Sequence, residues 1–120
     1  MRRVTSGEDL LGHLLQVPGV IGVALVDAVT GLTYSEAGSQ RIDGDDCCQL
    51  ATAIGDRLHL ANAEGELESL VITAARHIII MRALASRGTS LLLVAVLERQ
   101  RTNLALALHQ IDLHRLRESA

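Results

Sequence analysis

Two long runs of apolar, mostly β-branched or leucine residues limit what this chain can fold into. Residues 20–27 read Val-Ile-Gly-Val-Ala-Leu-Val-Asp, and residues 91–97 read Leu-Leu-Leu-Val-Ala-Val-Leu. Neither run alternates apolar with polar residues, as a strand does when one of its faces meets water. Both runs therefore predict strands that are covered on both faces, so helices have to pack on each side of a sheet.

The rest of the chain supplies those helices and further strands. A second, more polar strand at 32–35 forms a hairpin with the first and is expected at a sheet edge, followed by a loop over 36–44. The β-branched density at 78–80 favours strands over the helix that Leu67–Arg82 could also form. The predicted class is α+β, in the order α-β-β-α-β-β-β-α: helix 8–17, strands 20–27 and 32–35, helix 45–61, strands 67–73, 77–84 and 91–97, and helix 101–117.

Size and charge exclude several classes of protein. The chain has 120 residues, which predicts a single domain over 1–120, and its core is aliphatic because it contains one Tyr and no Phe or Trp. A net charge of −3 and the missing aromatic residues argue against nucleic-acid binding. The sequence has no run long enough to insert into a membrane and no signal-peptide core after Met1-Arg2-Arg3, so we expect a cytoplasmic protein.

The sequence contains no catalytic or metal-binding motif. It lacks a phosphate-binding Gly-Lys loop and a nucleophile elbow, and its five histidines do not have the spacing of metal ligands. Among these histidines, His77 at a strand start is the strongest candidate for titration near neutral pH. Cys47 and Cys48 diverge by about 100° on a helix and cannot bind one ion together. We expect no enzyme, no cofactor and no metal, with Cys47 in the core and Cys48 exposed.

The predicted helices carry more apolar surface than one small sheet needs. The middle helix has a narrow stripe, the last helix is apolar over much of its circumference through Ala105, Leu106, Leu113 and Leu116, and the strand at 67–73 adds another face. Surplus aliphatic surface of this kind is usually buried against another chain. The members of the stripe are Cys47, Leu50, Ala51, Ile54 and Leu58.

The chain resembles the Roadblock/LC7 family over nearly its whole length. The resemblance rests on the leucines of the first helix, on Val17-Pro18-Gly19 leading into the first strand, on the paired strands at 67–84, and on the strand at 91–97 before the closing helix with Asn103-Leu104-Ala105-Leu106. The order of elements agrees with that family. Three features depart from the family pattern: the first hairpin lacks a clear Asp-Gly turn, the strands at 67–84 lack a glycine turn, and the adjacent cysteines Cys47 and Cys48 are not typical of the family.

The resemblance implies a five-stranded antiparallel sheet flanked by helices and a homodimer. In that dimer the third strands pair and the middle helices pack together, through Cys47, Leu50, Ala51, Ile54, Leu58, Leu67, Ser69, Val71 and Thr73. It also implies a non-catalytic adaptor that binds a small Ras-like GTPase and modulates its nucleotide cycle, with a sensor kinase-like protein as a further partner. Arg99 and Arg101 are the candidate GTPase contacts. The alternative is a small-molecule or thiol-redox sensor.

Overall fold

The computed structural model describes residues 6–86 and 88–119. Their elements follow the predicted order, and two short 3-10 helices lie at Leu58–Ala61 and Arg99–Arg101. In the described part of the chain, no helix is both long and apolar enough to span a membrane. The helices and strands are α1 (Ser6–Leu14), β1 (Val20–Asp27), β2 (Thr33–Gly38), α2 (Gly44–Asp56), β3 (Ser69–Thr73), β4 (His77–Ser86), β5 (Thr89–Glu98) and α3 (Leu104–Ser119).

The five strands form one antiparallel sheet in the order β2-β1-β5-β4-β3. The two runs predicted to be covered on both faces are the inner strands β1 and β5. Their residues pair in register from Val23 with Ala95 to Asp27 with Leu91. The more polar β2 lies at one edge, as predicted, and β3 lies at the other.

Helices α1 and α3 pack together on one face of the sheet. Fully buried leucines dominate this core, among them Leu14, Leu93 and Leu97, and each stabilises the fold by roughly 1.5–3 kcal/mol relative to an exposed side chain. At the rim of this core, Nε of Arg82 on β4 lies 3.0 Å from Oδ1 of Asp112 on α3, which links helix and sheet.

Helix α2 is the only α-helix of the described residues that packs against the opposite face, where it lies mainly over β1. A helix about 10 Å wide covers roughly two strands spaced about 4.8 Å apart. Cover therefore decreases towards β3: Met81 on β4 is buried, whereas Leu70 and Ile72 on β3 stay partly exposed. The core of this face comprises Ala24, Val26, Ile42, Cys47, Met81, Leu92, Val94 and Val96.

Local backbone chemistry sets helix ends that differ from the sequence prediction. Helix α1 ends at Leu14 rather than 17, because Pro18 disfavours helical geometry at the residue before it and Gly19 adopts φ +94°. A Cβ at residue 19 would collide with Oγ1 of Thr102. Thr5-Ser6-Gly7-Glu8 fits the capping-box pattern in the sequence, but Thr5 lies outside the described residues.

Helix α2 begins one residue early and ends five residues before the predicted position. Asp43 caps it, since its Oδ1 accepts a hydrogen bond from the backbone N–H of Asp46 at 3.0 Å. After Asp56 the chain tightens into the 3-10 helix, which Asn62 ends in a left-handed conformation with φ 56°. Residues 58–61 are therefore helical, but not α-helical.

Pairing along the sheet lengthens β2, β4 and β5 beyond their predicted ends, whereas β3 begins at Ser69 rather than at 67. Strand β2 continues to Gly38, opposite Gly22, so the predicted loop is shorter than 36–44. Strands β4 and β5 extend to Ser86 and from Thr89, because their hairpin pairs up to its turn. Helix α3 begins at Leu104 rather than 101, after Oδ1 of Asn103 accepts the N–H of Leu106 at 3.1 Å.

Candidate interaction surfaces

The apolar stripe of α2 is divided between its own sheet and the solvent. Cys47 is buried, and Leu50 and Ala51 pack partly against the same cluster of the sheet. Ile54 and Leu58, further along the stripe, are half-buried. The first half of the stripe therefore stabilises the fold of this chain, and the second half remains available to a partner.

An open groove of about 420 Å³ runs beside α2 on this face. Its apolar wall and floor come from α2 and from the strands β4 and β5, while Gln40, Arg41, Asp43, Asp46 and His77 line it with polar side chains. The aliphatic strands argue in the sequence against an internal ligand pocket, and the groove forms because α2 covers only part of the sheet. The apolar lining is Ile42, Cys47, Leu50, Ala74, Ile79, Met81, Val94 and Val96.

Strand β3 presents an open backbone edge. The N–H of Ala74 donates to the carbonyl of His77 and that of Ala83 to the carbonyl of Glu68, so the even-numbered residues of β3 bond to β4. In an antiparallel ladder the intervening residues direct their N–H and C=O groups away from that neighbour. Those residues are Ser69, Val71 and Thr73, all three predicted interface positions and all three exposed.

The side chains of the predicted interface lie on both faces of the sheet. Ser69, Val71 and Thr73 alternate with Leu70 and Ile72, which pair with Met81 and Ile79 and so face α2. Leu70 and Ile72 were not among the predicted interface residues, although the period of two in a strand over 69–73 places both apolar side chains on one face.

Leu67 connects β3 to α2. A Cβ added to Gly55 of α2 would meet only Cδ2 of Leu67, at an ordinary 3.9 Å. Leu67, Ile54, Leu58, Leu70 and Ile72 are all partly exposed, and we call this set the open apolar strip. The strip extends the α2 stripe towards the free edge of the sheet.

The prediction that Cys48 is exposed is wrong. Cys48 is 8% exposed, and its Sγ–H donates to the carbonyl of Ala28 at 3.1 Å. The turn between β1 and β2 folds back onto α2 and covers the side chain. Asp27 holds that turn, since its Oδ1 accepts the N–H groups of Val29 and Thr30 at 2.8 and 2.9 Å.

The environments of Asp27 and Cys47 shift their pKa values in opposite directions. The hydrogen bonds from the backbone of Thr30 and Val29 lower the pKa of Asp27, and the hydroxyl of Tyr34 contributes by donating to it. Burial raises the pKa of the Cys47 thiol, and the nearby carboxylates of Asp43 and Asp46 raise it further. At neutral pH Cys47 is thus a protonated, weakly nucleophilic thiol.

Arg99 and Arg101 lie together in the 3-10 helix after β5, and both are exposed. Nη1 of Arg101 lies 3.0 Å from Oε1 of Glu98. Nη1 of Arg99 donates to the carbonyl of Ala74 in the β3–β4 turn at 3.3 Å. Sequence analysis missed Arg76, which this turn brings to the same end of the sheet.

Other candidate groups are dispersed. His77 is exposed at the start of β4. Within residues whose placement is described, no three His, Cys, Asp or Glu side chains come together as a metal site would require. On α3, Leu106 and Leu113 are 44% and 48% exposed, as expected for its second apolar face; the side chain of Leu116 lies outside the described set.

Solved structures resemble this fold over nearly the whole chain. The gliding protein MglB of Thermus thermophilus aligns with a TM-score of 0.70 at 18% identity, covering 99% of this chain and 89% of that one. An MglB with a tetrameric arrangement has a TM-score of 0.70 at 17% identity, covering 99% and 88%. A Roadblock/LC7 domain from Streptomyces avermitilis has a TM-score of 0.67 at 18% identity, covering 90% of each chain.

The chain therefore has the Roadblock/LC7 fold, and the resemblance found in the sequence is confirmed at the level of the fold. No family model matches the chain, and no curated protein matches its sequence. The assignment of the fold therefore rests on the solved structures and on the order of the helices and strands.

We expect both thiols to react slowly in the folded protein, because both are buried and the pKa of Cys47 is raised. Treatment with Ellman's reagent at pH 7.5 should modify two thiols rapidly in denaturant and neither rapidly in buffer. Cys48→Ala isolates Cys47, whose reaction should accelerate as the pH rises. Rapid modification of Cys47 in the native protein at pH 7.5 would contradict this account and favour a thiol sensor.

Proposed function

We propose that this protein is a non-catalytic homodimer that regulates a small Ras-like GTPase. The observation that carries the proposal is the unbalanced cover of the sheet: two helices on one face, and on the other α2 with an open apolar strip leading to a free strand edge. The Roadblock/LC7 fold supports the same interpretation. Bacterial members of the family that the sequence resembles act by binding a GTPase and reorganising its active site.

A second copy fits the β3 edge because the edge is complementary to itself. Antiparallel pairing about a two-fold axis near Val71 places the outward N–H and C=O groups of Ser69 and Thr73 opposite those of the partner strand. The two sheets then join into one continuous sheet, and an edge that otherwise invites aggregation is removed.

The same two-fold axis brings the α2 faces of the two copies together. The open apolar strip and Leu50 would bury partly exposed aliphatic surface against the partner, and about 25 cal/mol is gained for each Å² of apolar surface removed from water. Cys47 and Ala51 would act beneath this contact, by holding α2 on its own sheet. The predicted interface set thus divides into contact residues and supporting residues.

Val71→Pro should disrupt the dimer while leaving the fold of the subunit intact. Proline removes the outward N–H at the centre of the edge, which bonds to no group of β4. Analytical ultracentrifugation at micromolar concentration should find wild type and Val71→Thr dimeric and Val71→Pro largely monomeric. A dimer that survives Val71→Pro with unchanged affinity would exclude strand pairing at this edge.

Ile54→Asp should also weaken the dimer, because it places a carboxylate in the open apolar strip. Val29→Asp is the matched control, since Val29 is 79% exposed in the β1–β2 turn, at the opposite edge of the sheet. We expect the dissociation constant to rise at least tenfold for Ile54→Asp and to stay unchanged for Val29→Asp. Equal dissociation constants for both variants would show that α2 lies outside the interface.

A regulator of the nucleotide cycle has to bind the GTP and GDP states of its GTPase with different affinity. We expect the wild-type dimer to bind a Ras-like GTPase from the same organism more tightly in one state than in the other, and Val71→Pro to lose that binding. Fluorescence anisotropy with the GTPase loaded with a labelled GTP analogue or GDP measures both affinities. Equal affinities would reduce the role to an adaptor, and no binding to either state would refute the proposed function.

A further inference from the structure

A charged cleft lies at the end of the sheet where the β3–β4 turn meets the 3-10 helix after β5. It has a volume of about 340 Å³ and is lined by Arg76, His77, Glu98, Gln100 and Arg101. Arg99 lies directly beside it, because its backbone N–H donates to the carbonyl of Arg76 at 3.0 Å. The lining comes from two chain segments that are distant in sequence, so only the fold forms the cleft.

The cleft concentrates positive charge on a protein whose net charge is −3. The chain contains no lysine, and of the six arginines with described side chains (41, 57, 76, 82, 99 and 101) two line the cleft and a third, Arg99, lies beside it. Among the lining residues that the structure describes, Glu98 is the one carboxylate, and it is paired with Arg101. Counting Arg99, the cluster has a net charge of +2 with His77 neutral. Asp43 and Asp46 lie beyond His77, in the α2 groove.

Hydrogen bonds hold the walls of the cleft while leaving donors free. The guanidinium of Arg99 is tied to the carbonyl of Ala74, and Oγ1 of Thr102 donates to the carbonyl of Glu98 at 2.7 Å. Among the described residues, the guanidinium of Arg76 has no hydrogen-bond or ion-pair partner. An arginine whose donors are free can bind a carboxylate through two parallel hydrogen bonds.

We propose that this cleft binds an acidic segment of a protein partner, with carboxylates seated between Arg76 and Arg101. A short acidic run fits better than a nucleic acid, because the protein has a net charge of −3 and its only aromatic residue is Tyr34 in β2. The partner class rests on the proposed function, which makes the GTPase the protein that supplies this segment. The cleft thus includes Arg101 and lies beside Arg99, the two predicted GTPase contacts, and the group that it recognises is a carboxylate.

A peptide titration with the full-length protein tests the cleft without the GTPase. Fluorescein-labelled hexaglutamate should bind with an anisotropy change, and Arg76→Gln and Arg101→Gln should each raise its dissociation constant about tenfold through the loss of a charge-assisted hydrogen bond. Arg57→Gln is the matched control, because Arg57 is exposed at the end of α2 and outside the cleft. Thermal melting checks that all three variants remain folded.

Three outcomes would overturn the proposal: no binding of hexaglutamate, equal weakening by Arg57→Gln, or displacement of the peptide by an equal concentration of inorganic phosphate. Cleft and proposed function fail separately, because the titration needs neither the dimer nor the GTPase. If the GTPase binds, Arg76→Gln and Arg101→Gln should weaken that complex as well. A complex unaffected by both substitutions would reject the GTPase as the source of the acidic segment.

Discussion

The apolar surface of the sheet is larger than the described α-helices can cover, and the other features of the structure follow from this imbalance. Five strands give a sheet whose two faces are both apolar across β1, β5 and β4, and only three α-helices in the described residues are available to cover them. Two helices pack on one face, and a single helix of 13 residues packs on the other. Because one helix covers roughly two strands, partly exposed aliphatic side chains remain towards β3.

The position of β3 places these partly exposed side chains beside unpaired backbone groups. An inner strand would have both rows of backbone hydrogen-bonding groups paired, but β3 lies at the sheet edge and leaves one row free. The free row of N–H and C=O groups and the open apolar strip lie side by side. A single partner could therefore hydrogen-bond to the strand edge and bury the apolar side chains at the same time. The two thiols, in contrast, are buried within the subunit. Cys47 packs against the sheet, and Cys48 donates a hydrogen bond to the β1–β2 turn.

Much of the architecture could be predicted from residue patterns. The runs at 20–27 and 91–97 identified inner strands, the polar second strand was correctly expected at an edge, and the order of elements is confirmed. Helix ends were less predictable, because they depend on local competition between caps, proline and 3-10 turns. The predicted exposure of Cys48 was wrong, since periodicity along one helix gives no information about a turn that folds over it from elsewhere.

The order of residues along the chain specifies which side chains avoid water and with what period, and this sets the elements and their apolar faces. Which of those faces stay uncovered was decided by tertiary structure, because cover depends on where α2 crosses the sheet. The arginine cleft has the same origin. Arg76 and Arg101 are 25 positions apart in the chain, and only the pairing of β4 with β5 brings their segments to one end of the sheet.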